Sequence, residues 1–204
     1  MPAIEKVTIP GPAGKLEVVV HMPDGAPRAI AVIAHPLPTM GGTMENKIVT
    51  TLAKTFAELG FAALRFNFRG VGASSGEFDN GNGEVEDALT VTRYAMSEYS
   101  DLPLILSGFS FGGYVQARAE QQLPAHQLVL IAPAVTRYPM PPVPHNTLLV
   151  HGELDEVVSL ADVMQWARPQ CLPIIVLPGA AHFFHGRLEQ LKEIVRHNFM
   201  GQAL

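Results

Sequence analysis

One serine of this chain stands in a setting that would make its hydroxyl a nucleophile. Gly108-Phe109-Ser110-Phe111-Gly112 has the pattern G-x-S-x-G, between an apolar strand that ends at Ser107 and a helix that begins near Phe111. A tight strand-to-helix turn of this kind strains the backbone of the central serine and projects its hydroxyl. The glycines on either side remove side chains that would collide across the turn. Ser110 is therefore predicted to be a catalytic nucleophile.

An acid and a base are expected further along the chain. A serine hydroxyl reacts when a base removes its proton, and a carboxylate must orient that base. On a doubly wound sheet the expected order is serine, then acid, then histidine. Asp155 follows a strand predicted over Thr147–His151, and His182 follows one predicted over Pro173–Leu177. We therefore predict Asp155 and His182 as the catalytic acid and base.

Neighbouring side chains compete for both roles. Glu153 is the alternative acid to Asp155, although its ordinary role would be a solvated loop charge. His185 is the alternative base to His182, although it lies nearer the closing helix. His151 is expected to be a structural residue at the end of a strand. His182 and His185 also form an H-x-x-H pair, but no third ligand is evident and no metal site is predicted.

An oxyanion hole needs two backbone N–H donors. The first is expected at Phe111, directly after the nucleophile. The second is expected at Leu37, in the loop after a buried strand over Ala29–Ala34, because the prolines on either side of it have no N–H to donate. The other residues expected to shape this loop are His35, Gly41 and Gly42.

Strands and helices alternate around these residues. A hairpin, Ile4–Ile9 with Lys15–His21, precedes strands at Ala29–Ala34, Phe61–Phe68, Pro103–Ser107, Gln127–Ala132, Thr147–His151 and Pro173–Leu177. The helices between them include one capped by Thr43 and others over Phe111–Gln122, Leu160–Ala167 and Leu188–Phe199. This order is typical of a mostly parallel sheet with helices on both faces, whose sites lie at the carboxyl ends of the strands. We expect one domain over residues 1–204.

Composition excludes several classes of protein. The 204 residues are 48% hydrophobic with a net charge of −5, and the 14 basic residues are scattered singly. Binding to nucleic acid or to an anionic membrane is therefore not expected. No apolar run is long enough for a membrane span, and the N-terminus lacks a secretory pattern, so a cytoplasmic protein is expected. The single cysteine, Cys171, is expected to be buried or incidental.

The motifs together resemble those of the α/β-hydrolase superfamily. They are His35-Pro-Leu-Pro with Gly41-Gly42, Arg69-Gly-Val-Gly72, Gly108–Gly112, His151-Gly-Glu-Leu-Asp155 and His182-Phe-Phe. The nearest similarity is to small bacterial serine hydrolases near the dienelactone-hydrolase-like branch. That branch has cysteine where this chain has Ser110, so its specific activity is not implied. The resemblance implies hydrolysis of a small ester through an acyl-enzyme, with no cofactor.

A cap over the site is not expected. Larger relatives insert helices where this chain has only Pro133–Asn146, a segment of 14 residues with five prolines. An open, lidless site follows, and the loop residues that would line an acyl pocket are Met40, Tyr138, Met140 and Phe183. In the Gly-rich loop we expect Arg69, Ser74 and Asp79 to brace the chain rather than bind a nucleotide.

Three functions stay open at this point. The favoured substrate is a small-molecule carboxylic ester. Thioesters and small peptides need the same catalytic groups, so the sequence does not separate them from esters. A non-catalytic binding protein with a hydrolase fold is the alternative from another class. The oligomeric state is not predicted.

Overall fold

The computed structural model describes residues 3–202. Its eight strands are β1 Ile4–Gly11, β2 Gly14–His21, β3 Ala29–Ala34, β4 Phe61–Phe66, β5 Leu104–Phe109, β6 Gln127–Ile131, β7 Leu148–Gly152 and β8 Ile175–Leu177. Its α-helices are α1 Lys47–Glu58, α2 Asn82–Glu98, α3 Phe111–Glu120, α4 Leu160–Ala167 and α5 Leu188–Phe199. None of the helices in these residues is long and apolar enough to span a membrane.

The strands form a single sheet in the order β1-β2-β4-β3-β5-β6-β7-β8. The pairs β1–β2 and β2–β4 are antiparallel, and every other pair is parallel. The predicted mostly parallel sheet is therefore confirmed, with the predicted hairpin as its antiparallel edge. Because β3 to β8 run in one direction, the loops that follow them share one edge of the sheet.

Helices cover both faces of the sheet, and β3 shows how the sequence allows this. Its alternate residues Ile30, Val32 and Ala34 belong to one apolar cluster, which also contains residues of α2, α3 and α4. Ala29, Ala31 and Ile33 belong to a second cluster, with residues of α1 and α5. A strand buried on both faces requires an uninterrupted apolar run, which is what Ala29–Ala34 provides.

Several boundaries differ from the sequence prediction. The first helix begins at Lys47, and its cap is Asn46 rather than Thr43, because the Asn46 side chain accepts a hydrogen bond from the Ile48 N–H. Strand β4 ends at Phe66 instead of Phe68. The next residue, Asn67, accepts the Met44 N–H through its side chain and so ties the chain to a neighbouring loop instead.

The Gly-rich loop before α2 is braced by polar side chains, as predicted. Asp87 on α2 is fully buried and accepts hydrogen bonds from the backbone N–H, Nε and Nη2 of Arg69 at 2.8–3.0 Å. Ser74 donates to the Asn67 carbonyl, and Asp79 accepts the Gly83 N–H. Cys171, by contrast, is exposed and not buried.

Replacing Asp87 with Ala would leave the largely buried Arg69 guanidinium without its carboxylate partner. We expect Asp87→Ala to lower the free energy of unfolding by about 3 kcal/mol, the usual cost of removing one partner of a buried ion pair. Urea denaturation measures this change. Glu86→Ala, at the adjacent exposed position of α2, is the matched control and should shift stability far less. Equal losses of stability in the two variants would contradict a stabilising role for the Arg69–Asp87 ion pair.

Candidate active site

Ser110 sits in a strained turn between β5 and α3. Its φ of 54° and ψ of −116° lie in a region that side-chain-bearing residues rarely adopt. The turn is closely packed: a Cβ on Gly108 would lie 2.2 Å from the Gly112 carbonyl oxygen, and one on Gly112 would lie 2.3 Å from that of Ala34. Both glycines of the motif are therefore required by close approach of the backbone. The Ser110 N–H is held by the Ile131 carbonyl at 2.9 Å.

The structure brings Ser110, His182 and Asp155 together. His182 Nδ1 lies 2.7 Å from Asp155 Oδ2, and His182 Nε2 lies 3.1 Å from Ser110 Oγ. All three side chains are buried. An ionised carboxylate can only accept, so Nδ1 of His182 carries a proton; in the neutral ring, Nε2 then presents a lone pair to the serine hydroxyl. In this arrangement the imidazole can accept the Ser110 proton.

Hydrogen bonds from His182 and from two backbone N–H groups keep Asp155 ionised. Its Oδ1 accepts the N–H groups of Val157 at 2.9 Å and Val158 at 2.7 Å, while Oδ2 is left for His182. Burial raises the pKa of the Asp155 carboxyl, but the hydrogen bonds from His182 and the two backbone N–H groups outweigh burial. The net pKa is below its ordinary value.

The competing residues are placed elsewhere. The Glu153 carboxylate accepts the Gly179 N–H at 2.8 Å and has no bond to the His182 ring. The His185 side chain is exposed, with its ring against Phe183. Within residues 3–202, no group of three or more His, Cys, Asp or Glu side chains is arranged to hold a metal ion.

His151 is a buried neutral histidine behind the acid. Its Nε2 lies 2.9 Å from the Val158 carbonyl oxygen and 3.5 Å from Asp155 Oδ2. Burial lowers the pKa of His151, and its bond to Val158 only partly opposes this. Its Nε2 hydrogen therefore points to the Val158 carbonyl, which holds the segment whose N–H groups bind Asp155. The predicted structural role at the end of a strand agrees with this geometry.

The loop after β3 is organised by His35, a fully buried residue. Its Nε2 accepts the Phe68 N–H at 3.1 Å, so its Nδ1 carries the proton and donates to the Pro36 carbonyl at 2.6 Å. Burial lowers the pKa of His35 to about 4, which keeps the ring neutral. The Pro36 carbonyl and the Leu37 N–H belong to one trans peptide plane and point in opposite directions. The bond from His35 therefore fixes the direction of the Leu37 N–H.

A cavity of about 320 Å³ opens beside Ser110 and His182, at the small end of the range for ligand sites. Leu37 and Phe111, the two expected backbone donors, both line it. Of the four residues predicted for a pocket, Met40, Tyr138 and Phe183 also line the cavity. Met140 does not, because it packs against the apolar core on the α2 and α3 side of the sheet.

The sequence interpretation missed several residues of the cavity wall. Val157 and Val158 lie two and three residues after Asp155, and Thr136 and Arg137 lie in the proline-rich segment after β6. Each stands in a loop after a parallel strand, so position alone would have made them candidates. None of these residues belongs to a catalytic motif, so the sequence alone does not identify them as part of the cavity.

Known proteins resemble this chain over nearly its whole length. An uncharacterized protein of Rickettsia prowazekii is 30% identical over 200 residues, covering 91% of this chain and 84% of that protein. The crystal structure of a serine hydrolase without a lid from Xanthomonas campestris is 37% identical, with a TM-score of 0.92, covering 96% of this chain and 93% of that one. A serine hydrolase homologue from Coxiella burnetii is 43% identical, with a TM-score of 0.87, covering 95% and 96%.

The family model described as serine aminopeptidase, S33, matches residues 25–147, more than half of the chain. Together with the fold and the likeness to the lidless Xanthomonas campestris hydrolase, this match confirms the predicted superfamily. The chain therefore belongs to the serine aminopeptidase S33 family and is an α/β-hydrolase.

Proposed function

We propose that this hydrolase cleaves small carboxylic esters through an acyl-enzyme on Ser110. The observation that carries the proposal is the unbroken hydrogen-bond series from Asp155 through His182 to the Ser110 hydroxyl, beside an accessible cavity. Asp155 is held ionised, and each member of the series has the hydrogen-bond partner that its proposed role requires. The backbone strain at Ser110 further supports a functional position, since such strain persists where the surrounding fold imposes it.

In the first step, His182 Nε2 takes the Ser110 proton while Oγ attacks the carbonyl carbon of the ester. The imidazolium that forms stays hydrogen-bonded to Asp155, whose negative charge offsets the new positive charge. His182 then gives the proton to the departing alkoxide oxygen, and the alcohol leaves. The acyl group remains bonded to Ser110 Oγ.

The carbonyl oxygen becomes negatively charged during the attack. The N–H groups of Leu37 and Phe111 are the donors proposed to stabilise it. Phe111 is the first residue of α3, so its N–H has no acceptor within the helix, and the positive end of the helix dipole lies beside it. Loss of one such donor typically costs about 10²–10³ in rate.

A water molecule then completes the cycle. His182 removes a proton from that water as its oxygen attacks the acyl carbon, and the proton passes to Ser110 Oγ when the acid is released. The lidless architecture lets water reach the acyl carbon without movement of a covering segment.

The cavity favours esters over the substrates of an aminopeptidase. An aminopeptidase must bind a protonated α-amino group, for which carboxylates are strong partners. Among the described residues that line the cavity there is no Asp or Glu, and Arg137 would repel a second cation. The family description alone therefore does not make this chain an aminopeptidase.

The proposed function predicts covalent labelling and ester turnover that both depend on Ser110. A fluorophosphonate probe should form an adduct at Ser110, and short p-nitrophenyl esters should be hydrolysed. Ser110→Ala should lose the adduct and lower kcat by roughly 10⁶-fold while the unfolding curve is retained. Acyl thioesters and aminoacyl p-nitroanilides, tested beside the esters, separate the three substrate classes. Ester turnover retained by Ser110→Ala would overturn the assignment, and faster anilide cleavage would favour a peptidase.

The role of His35 predicts a selective loss of kcat. His35→Ala frees the Pro36–Leu37 peptide to rotate, so kcat should fall about 10²-fold with KM changed by less than about twofold. His35→Asn, which keeps an N–H donor near the position of Nδ1, should recover part of kcat. His145→Ala, at an exposed histidine, is the control. Equal losses in His35→Ala and His35→Asn, or a change in KM alone, would contradict the positioning role.

The same histidine predicts how stability depends on pH. The unfolded chain protonates His35 near pH 6.5, whereas the folded chain does so only near pH 4. Unfolding therefore takes up a proton in this window, so stability falls as the pH drops below 6.5 and levels off below 4. From pH 6.5 to about 5 the contribution of His35 is about 2 kcal/mol. Urea denaturation should show a smaller decline in His35→Asn than in the native chain, and an unchanged decline in His145→Asn.

A further inference from the structure

We propose that the substrates of this site carry a carboxylate and that Arg137 binds it. The inference rests on the proposed ester hydrolysis and adds the chemical class of the substrate. It is drawn from the charge of the cavity wall, from the surroundings of Arg137, and from the way its segment is held.

Arg137 places a positive charge at the mouth of the cavity. Of the described residues that line the cavity, Arg137 alone carries a permanent charge, and most of the others are apolar, such as Leu37, Val158 and Phe183. The chain as a whole has a net charge of −5, so the positive charge beside the nucleophile is opposite in sign to the net charge of the protein. Arg137 is exposed at the mouth of the cavity, so solvent screens part of its charge, and the apolar residues beside it limit that screening on the cavity side.

Among the residues that the structure describes, no carboxylate is paired with this cation. Arg65, Arg69 and Arg196 each lie 2.8–3.2 Å from a Glu or Asp oxygen. Within residues 3–202, no Asp or Glu oxygen comes within the 4.0 Å that defines an ion pair for Arg137. Its guanidinium is therefore available to a ligand.

The segment that carries Arg137 is anchored. The adjacent Tyr138 stacks on Tyr114, with ring centroids 4.8 Å apart, and its centroid lies 5.0 Å from that of Phe111. Burial raises the pKa of Tyr138, whereas the nearby positive charge of Arg137 acts in the opposite direction. The packed Tyr138 ring restrains the backbone beside Arg137, which limits the entropy lost when a ligand binds.

A guanidinium and a carboxylate match in shape as well as charge. The planar fork of N–H donors can hold both carboxylate oxygens, which fixes the orientation of the ligand. A substrate held in this way would present its ester carbonyl to Ser110 from a defined direction. A neutral ester of the same length would lack that constraint and rely on apolar contacts alone.

Matched ester pairs test this proposal. The mono-p-nitrophenyl ester of adipic acid is compared with p-nitrophenyl hexanoate, which has the same chain length and no charge. A second pair places the charge on the leaving group: 3-carboxyphenyl butyrate against its 3-carboxamide analogue. For each pair the ratio of kcat/KM, anionic over neutral, is measured in the native enzyme, Arg137→Gln and Arg93→Gln. Arg93 is exposed on α2 and does not line the cavity, so its variant controls for net charge.

We expect the ratio to fall about tenfold in Arg137→Gln for at least one pair and to stay unchanged in Arg93→Gln. The pair that responds identifies the side of the ester that carries the carboxylate. Added salt should lower the same ratio in the native enzyme. Ratios that change by less than about twofold in both pairs would overturn the role of Arg137 while leaving ester hydrolysis intact.

A binding measurement separates this proposal from the failure of ester hydrolysis. If no ester is turned over, the proposed function fails, and affinity becomes the readout. Calorimetric titration of the Ser110→Ala protein with monomethyl adipate and with methyl hexanoate then compares a charged and a neutral ligand. Preference for the charged ligand that is lost on adding Arg137→Gln supports the carboxylate site. Equal affinities with and without Arg137 overturn it.

Discussion

The close approach of α3 to β3 is the constraint on which the rest of this site depends. Residues 108 and 112 leave no room for a Cβ, and only this lets the chain turn within a few residues from β5 into α3. The turn forces Ser110 to a positive φ and fixes the direction of its hydroxyl. On the proposed mechanism, Asp155 and His182 can act only because that hydroxyl is held on the same edge of the sheet, where the parallel strand order brings the ends of their strands together.

Around this turn, hydrogen bonding and burial determine which side chains are charged and which are neutral. Asp155 is buried yet ionised, because three N–H donors replace the water it has lost. His35 and His151 are buried and neutral, and each uses one ring nitrogen to hold a backbone carbonyl. The two histidines thus act on peptide groups rather than on substrate. Because both histidines are neutral, they support these peptide groups without adding a charge that would compete with Asp155 for the imidazole of His182.

Much of this arrangement could be predicted from the sequence because its signals are local or periodic. The apolar run at Ala29–Ala34 and the glycines around Ser110 each reflect a constraint satisfied within a few residues. What could not be predicted depends on contacts distant in sequence. The Asn46 cap competes with an equally suitable Thr43, the tautomer of His35 is set by a peptide 33 residues away, and Met140 turns toward the core rather than the cavity. Arg137 belongs to no recognisable motif, so its place in the cavity wall depends on how residues 133–146 fold.

The open mouth of the site also bears on the fate of the acyl group. Met40, Val157 and Phe183 line the cavity and yet are 77%, 57% and 42% exposed, so bulk solvent reaches the rim directly. On the proposed mechanism, any small nucleophile in the solvent can reach an acyl group on Ser110. Water reacts most often because its concentration is highest, and not because the site selects it. Dissolved short alcohols would then compete for it, and transacylation would grow at the expense of hydrolysis as their concentration rises.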